Sequence, residues 1–280
     1  MSGSAWRLGL LGHPVAHSLS PALHAAAFEV TGQTGTYELI DCPPARLADA
    51  VARLRRGQFD GLNATIPHKE ALVGLVDRLA RSAAAVGAIN TLVRTADGEV
   101  EGHNTDVEGL VSALEARWPD TPWRWHPVTV VGAGGAARAV ALAMVRSGAI
   151  VTIAGRTHKR AIALADEIGC QHCSWENRGA GEPDVLINCT PVGMHPNVDD
   201  TPYAEHWLTE NMVVFDTVYN PETTLLIKDA NAKGCRTVSG IEMFVRQAAQ
   251  QFEMFTGQPG PLDQMRMTVR RAISPLGDLP

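Results

Sequence analysis

"VTVVGAGGAARAVALAMVRSGAIVTIAGRT", residues 128–157, decides the fold of this chain. An apolar run, "VTVVG", leads into Gly132-Ala133-Gly134-Gly135-Ala136-Ala137, which opens an almost uncharged helical segment. Gly132 permits a tight turn, and Gly134 lets backbone come close to a pyrophosphate. Ala137 is small enough for the helix to pack tightly on the strand. The N–H groups that open the helix would then face the anion. A second strand, "IVTIAG", follows, completing a unit of about thirty residues that binds dinucleotides.

The second strand of such a unit ends in Asp or Glu when it holds the ribose 2′-hydroxyl of NAD. Here it ends in Gly155, followed by Arg156, Thr157, Lys159 and Arg160, and no carboxylate appears before Asp166. An acid would repel a 2′-phosphate, whereas this cluster would bind one through charge-assisted bonds. Basic residues also oppose the dipole in a helix's first turn, so they need a reason to be there. NADP is therefore expected in preference to NAD.

Around this unit, apolar strand patterns alternate with helical ones. The first part reads as strand "WRLGLLG", a helix over 21–30 with Ser20 as N-cap and Pro21 at its first position, and strand "TYELID". A helix over 45–56, strand "FDGLNAT", helical pieces to Ala85 and two short strands about the Asp97-Gly98 turn complete that part. Periodicity stops at "WPDTPWRWHP", 118–127, which reads as a connector. After the glycine unit come strands "DVLINCT", "VVFDTVY" and "RTVS", consistent with a parallel sheet covered on both faces. Residues 241–273 are helical apart from a break at "TGQPGP".

Bulk properties narrow the function. The 280 residues carry a net charge of −6, with a pI near 5.9, which argues against a polyanionic partner such as nucleic acid. No stretch reaches the roughly 18 to 20 apolar residues needed to span a bilayer. The N-terminus lacks a signal-peptide pattern, so a soluble, cytoplasmic protein is expected. Five scattered cysteines do not form a disulfide framework. Cys170-Gln-His-Cys173 has no second ligand pair, so no metal site is expected.

A dinucleotide unit in the second half leaves the first half for substrate. Reducing a carbonyl by hydride requires a proton donor at its oxygen. Lys69 follows the "NATIP" strand and turn, and Asp106 ends another polar turn, "GHNTD". Parallel strands deliver their C-terminal residues to one edge, where these two could pair as an acid/base dyad. On local grounds alone Lys69 reads first as a solvated turn lysine, and the spacing by itself does not decide it.

Nine segments in order resemble the shikimate dehydrogenase family over nearly the whole chain. They are "GHPVAHSLSP" (12–21), "NATIPHK" (63–69), "GAINT" (87–91), "GHNTDVEG" (102–109), "GAGGAA" (132–137), "GRTHKR" (155–160), "NCTPVGM" (188–194), "DTVYNPETTLL" (216–226) and "SGIEMFVRQA" (239–248). The resemblance implies an α/β protein of two domains. Residues 1–106 with 241–280 would bind substrate, and 107–240 would be a Rossmann-like doubly wound NADP domain. The C-terminal helices would return to the substrate domain.

By the same resemblance, Lys69 and Asp106 are the catalytic pair in the reversible reduction of 3-dehydroshikimate to shikimate by NADPH. Ser18 and Ser20, assisted by Thr65 and Tyr219, would hold the substrate carboxylate. Asn63, Asn90 and Gln247 would bind ring hydroxyls. Gly132, Ala133, Gly134, Gly135 and Ala136 would follow the pyrophosphate, with Arg156, Thr157 and Arg160 at the 2′-phosphate. Thr190, Val218, Gly240 and Met243 would line the nicotinamide end. The chain is expected to act as a monomer or homodimer, with no membrane or nucleic-acid partner.

Four residues depart from the family pattern: Gly155 for Asn, Val107 for Gly, Phe244 for Leu, and Arg246 for a small residue. A quinate or aminoshikimate dehydrogenase therefore stays open, as does a non-catalytic NADP sensor. His13, His17, His68 and His103 lie in the motif loops and are not expected to be catalytic.

Overall fold

The computed structural model describes residues 5–119 and 121–274. The chain divides into two compact units, 1–106 with 245–280 and 107–244. Residues 241–244 thus cluster with the second unit: Met243 lies in its core, and Phe244 stacks on Tyr219.

The first unit contains β1 (Trp6–Gly12), α1 (Ser20–Thr31), β2 (Gly35–Asp41), α2 (Leu47–Arg55), β3 (Gly61–Ala64), β4 (Arg78–Leu79), α3 (Arg81–Val86), β5 (Thr91–Arg94) and β6 (Val100–His103). The sheet order is β2-β1-β3-β5-β6-β4. β1 runs parallel to β2 and β3, while β5 is antiparallel to β3 and to β6. The sheet is therefore mixed. The Asp97-Gly98 turn, with Gly98 at φ +85°, is too short for a parallel crossover and forces a hairpin. Two reversals leave β3 and β6 pointing the same way, so their C-terminal ends share an edge. β5 brings its N-terminal end, just after Asn90, to that same edge.

One face of this sheet offers Leu11, Leu62, Ala64 and Leu92 to Leu47, Val51 and Leu54 of α2. The other face meets α1 and the helix that carries Phe255. Gly35 lies against Phe28 and Gly61 against Phe255, so closely that a Cβ would come within 2.4 and 2.3 Å of the rings.

The second unit holds most of α4 (Asp106–Arg117), then β7 (Pro127–Val131), α5 (Gly135–Arg146), β8 (Ile150–Ala154), α6 (His158–Ile168), β9 (Gln171–Cys173), β10 (Val185–Asn188), β11 (Val213–Asp216), α7 (Leu225–Ala232) and β12 (Arg236–Val238). Its strands lie in the order β12-β11-β10-β7-β8-β9 and pair in parallel throughout. Counted from β7, this is the doubly wound 3-2-1-4-5-6 order, with the switch point between β7 and β10. The expected connector is partly structural: Trp118 and Trp123 pack edge to face, 6.4 Å apart, against the core of this unit. Val107 is the second residue of α4, a helix the sequence pattern had not revealed. The chain ends in α8 (Gly240–Thr256) and α9 (Leu262–Ile273). No helix among the described residues is long and apolar enough to cross a membrane.

Candidate active site

Lys69 follows β3, and its ammonium donates to Asp106 Oδ2 at 2.6 Å. The aspartate side chain is only 2% exposed and the lysine 16%, so this is not a solvated turn lysine. Asn90 Nδ2 donates to the other carboxylate oxygen at 2.9 Å. The Asp106 N–H donates to Asn104 Oδ1 at 3.0 Å. Both oxygens are thus held, which aims the ammonium.

Asn90 is nearly saturated. Its Nδ2 also faces Thr105 Oγ1 at 2.9 Å and Gln247 Oε1 at 3.3 Å. Its Oδ1 accepts from the Thr105 N–H and from Thr91 Oγ1, each at 2.9 Å. An amide has two N–H donors and two lone pairs. A ligand bond to Asn90 would therefore replace the long bond to Gln247. Thr105 is braced in turn by Gln251 Nε2 at 3.1 Å. The sequence reading missed Thr105 and Gln251. The available signal was Gln247 and Gln251, two amides four residues apart on one helix face.

Ser18 and Ser20 meet at 3.1 Å. The expected N-cap role of Ser20 is not found: α1 starts at Ser20 itself, Leu19 occupies the N-cap, and no side chain caps. The Ser20 hydroxyl is thereby released from the backbone for side-chain or ligand bonds. Asn63 is buried in β3 on the same unit. Thr65 is half-buried just beyond it, its methyl so near Gly12 that a Cβ there would come within 2.7 Å.

The histidines are placed elsewhere. His68 is buried with Nε2 2.7 Å from the Cys42 carbonyl, and burial lowers its pKa. His13 pairs with Asp41 at 2.9 Å, His103 lies 3.4 Å from Glu101, and His17 is exposed.

In the second unit, Gly132 takes φ +128°, a conformation that disfavours any side chain, and its N–H donates to the Ala154 carbonyl at 2.7 Å. Gly134 is the N-cap of α5 in extended backbone, and a Cβ there would meet nothing within 4 Å. No side chain caps α5, and no acid lies in its first turn. The backbone approach that a dinucleotide phosphate needs is open, so these residues fit the group. Ala133, Gly135 and Ala136 are half-buried along the same loop and turn, and Ala137 is fully buried.

Arg156, Thr157 and Arg160 are exposed at the start of α6, where the N-cap Thr157 makes no capping bond and no acid stands in the first turn. Gly155 sits against Ala133 and Ala161, and a Cβ would lie 3.2 and 3.3 Å from theirs. The asparagine of the family pattern would have to push both aside. Here the compact packing goes with glycine.

Thr190 follows β10. Its N–H and hydroxyl both donate to Asn188 Oδ1, at 2.9 and 2.7 Å. Asn188 in turn donates to Asp216 Oδ1 at 2.9 Å, which also accepts from the Val218 N–H at 3.0 Å. Thr224 donates to Asp216 Oδ2 at 2.7 Å. One buried carboxylate therefore positions both Thr190 and Val218. Gly240 lies over Val218, where a Cβ would come within 2.4 Å of the Val218 carbonyl oxygen. Met243 is packed in the core, and Tyr219 stacks on Phe244 at 4.1 Å, 5° from parallel. Asp216 also escaped the sequence reading, although an acid ending the apolar run "VVFD" was visible. No cluster of three or more His, Cys, Asp or Glu among the described residues is placed to hold a metal.

Burial pushes the Asp216 carboxyl up to about 6, against the pull of the bonds from Thr224, Val218 and Asn188. The folded state then holds this proton more tightly than the unfolded state. The corresponding stability is full below pH ~4 and is lost as pH rises through ~6. Denaturant titrations of native protein and Asp216→Asn should show the difference moving in favour of the variant between pH 4.5 and 7.5. The expected movement is on the order of 2 to 3 kcal/mol. A difference constant across that range would mean the carboxylate is charged at both ends.

The doubly wound sheet and its open glycine loop define the class: a two-unit α/β protein with a Rossmann-type second unit. Residues 10–92 match the model described as shikimate dehydrogenase substrate binding domain, and 240–270 match the shikimate 5′-dehydrogenase C-terminal domain. Residues 127–215 match a model described as NADP oxidoreductase, coenzyme F420-dependent. The chain is 43% identical to the shikimate dehydrogenase (NADP(+)) of Methanopyrus kandleri, over 94% of each chain. It therefore belongs to the shikimate dehydrogenase family. Among solved structures, the shikimate 5-dehydrogenase of Thermus thermophilus in complex with NADP(H) and shikimate is 38% identical. It superposes with a TM-score of 0.86 over 95% of this chain and 99% of that one. The quinate dehydrogenase of Corynebacterium glutamicum in complex with NAD is 36% identical, with a TM-score of 0.84 over 94% of this chain and 98% of that one.

Proposed function

We propose that the chain is an NADP-dependent shikimate dehydrogenase, interconverting 3-dehydroshikimate and shikimate. The observation that carries this reading is the Lys69–Asp106 pair, 2.6 Å apart and enclosed by amides and hydroxyls. Residues 1–106 with the C-terminal helices bind the acid, and 107–240 bind the cofactor. NADPH, when bound, supplies the hydride. Lys69 donates a proton from Nζ to the ketone oxygen as the carbonyl is reduced, and takes it back in the reverse direction. Asp106 keeps that ammonium aimed and compensates its charge, without taking the proton itself. Ser18, Ser20, Thr65 and Tyr219 supply hydroxyl donors for the carboxylate, and Asn63, Asn90 and Gln247 read ring hydroxyls, Asn90 by giving up its long bond to Gln247. Arg156, Thr157 and Arg160 hold the 2′-phosphate, and the absent acid at Gly155 removes the repulsion. A cytoplasmic location and a biosynthetic role accompany this reading.

The test is initial-rate kinetics on the native protein with shikimate and quinate, each with NADP and NAD. Shikimate with NADP should give kcat/KM at least tenfold above the other three combinations. Faster turnover of quinate would reassign the substrate. Tight NADPH binding with every polyol acid inert would make the chain a sensor.

A further inference from the structure

Tyr37 lies on β2, in register with Leu8 of β1, and Leu8 is in register with Gly61. Asn63 is two residues beyond Gly61, so Tyr37 and Asn63 share the sheet face that carries α1. The ring of Tyr37 stacks on His24 of α1, with centroids 4.2 Å apart and planes at 16°. His24 is fully buried, and neither ring nitrogen has a hydrogen-bond partner. Burial lowers its pKa to about 3, so it is a neutral, flat platform for the phenol ring.

The Tyr37 hydroxyl donates to Asn63 Oδ1 at 2.8 Å. Bond directions here follow from groups that can only accept or only donate. Asn63 Nδ2 faces the Asn90 carbonyl at 3.3 Å, a pure acceptor, so the amide oxygen must face Tyr37. Tyr37 spends its single proton there. At the other end, Asn90 Oδ1 faces the Thr105 N–H, a pure donor, so Asn90 Nδ2 faces Asp106.

The bonds then run in one sense. Tyr37 donates to Asn63 at 2.8 Å. Asn63 donates to Thr91 Oγ1 at 3.3 Å, Thr91 to Asn90 at 2.9 Å, and Asn90 to Asp106 at 2.9 Å. The chain ends on the carboxylate that holds Lys69.

We infer that Tyr37 is a positioning residue for substrate specificity. It fixes the Asn63 amide so that one lone pair of Oδ1 faces a ring hydroxyl. The inference rests on the proposed reading of this unit as the acid-binding part. Asn63 Nδ2 is held only by two 3.3 Å bonds, so the short bond from Tyr37 is what sets the amide plane. Without it the amide can turn, and substrate binding weakens before chemistry does.

The test is a double-mutant cycle between Tyr37→Phe and Asn63→Ala, read as KM and kcat for shikimate and KM for NADP. Phenylalanine keeps the stack on His24. Tyr37→Phe should raise the KM for shikimate about tenfold, with kcat within threefold and the KM for NADP unchanged. The effect should vanish in the Asn63→Ala background. Difluorotyrosine at position 37, which retains the donor, should keep a KM at or below native, and it serves also if Tyr37→Phe does not fold. A native KM in Tyr37→Phe, an equal effect with Asn63→Ala, or a tenfold rise with difluorotyrosine would overturn the inference. Native protein that neither turns over shikimate nor binds it by calorimetry would sink the function reading itself, and the inference with it.

Discussion

Lys69→Ala is expected to lower kcat for shikimate oxidation at least a hundredfold, while the Kd for NADP stays within threefold of native. General acid/base catalysis contributes roughly 10² to 10⁴ in rate, and the ammonium held on Asp106 is that of Lys69. Removing it also strands a carboxylate that is 2% exposed, and breaking a buried pair costs about 3 to 5 kcal/mol. A loss of activity could then reflect a disturbed fold. Lys69→Gln separates the two effects: its amide can still donate to Asp106, yet it has no proton to transfer at useful rates. Both variants should lose kcat, with Lys69→Gln melting closer to native. Turnover that survives in Lys69→Gln would keep the enzyme and discard the proton-transfer role.

Replacing Arg156 and Arg160 together by alanine should raise the KM for NADP between tenfold and several hundredfold and leave the KM for NAD within threefold. Hydrogen bonds to charged groups are worth about 1.5 to 3 kcal/mol, and a 2′-phosphate can take bidentate bonds from a guanidinium. Both side chains are exposed at the start of α6, so little of the fold depends on them. Single substitutions should show which arginine carries more. Equal losses with NADP and NAD would place these arginines on a group common to both cofactors and remove the argument for NADP.

The second unit was the more legible of the two. Its central strands β7, β10 and β11 are short buried apolar runs, and Gly132 and Gly134 mark the loop by chemistry that tolerates few substitutes, whereas α4, α7 and the polar edge strand β9 were not legible. In the first unit the β5 reversal was visible as a turn, but its consequence was not. Only the mixed sheet brings Asn90, ahead of an antiparallel strand, beside residues that follow β3 and β6. The N-cap assignment of Ser20 followed a sound local preference and still failed: the helix starts one residue early, with Leu19 at the N-cap, and the Ser20 hydroxyl meets Ser18. Thr105, Gln251, Asp216 and Tyr37 went unseen for another reason. Each is an ordinary residue in its own segment and acquires a role only from partners as distant as 146 positions along the chain.

Fold class, the glycine loop and the Lys69 and Asp106 candidates could all be read from local chemistry, because period, turn geometry and phosphate binding act over a few neighbouring residues. Which amide faces which carboxylate, and which hydroxyl gives its proton to which acceptor, was settled by the folded sheet. Those choices depend on hydrogen-bond distances between strands and helices far apart in the chain, where a buried donor must find its acceptor or forfeit the bond.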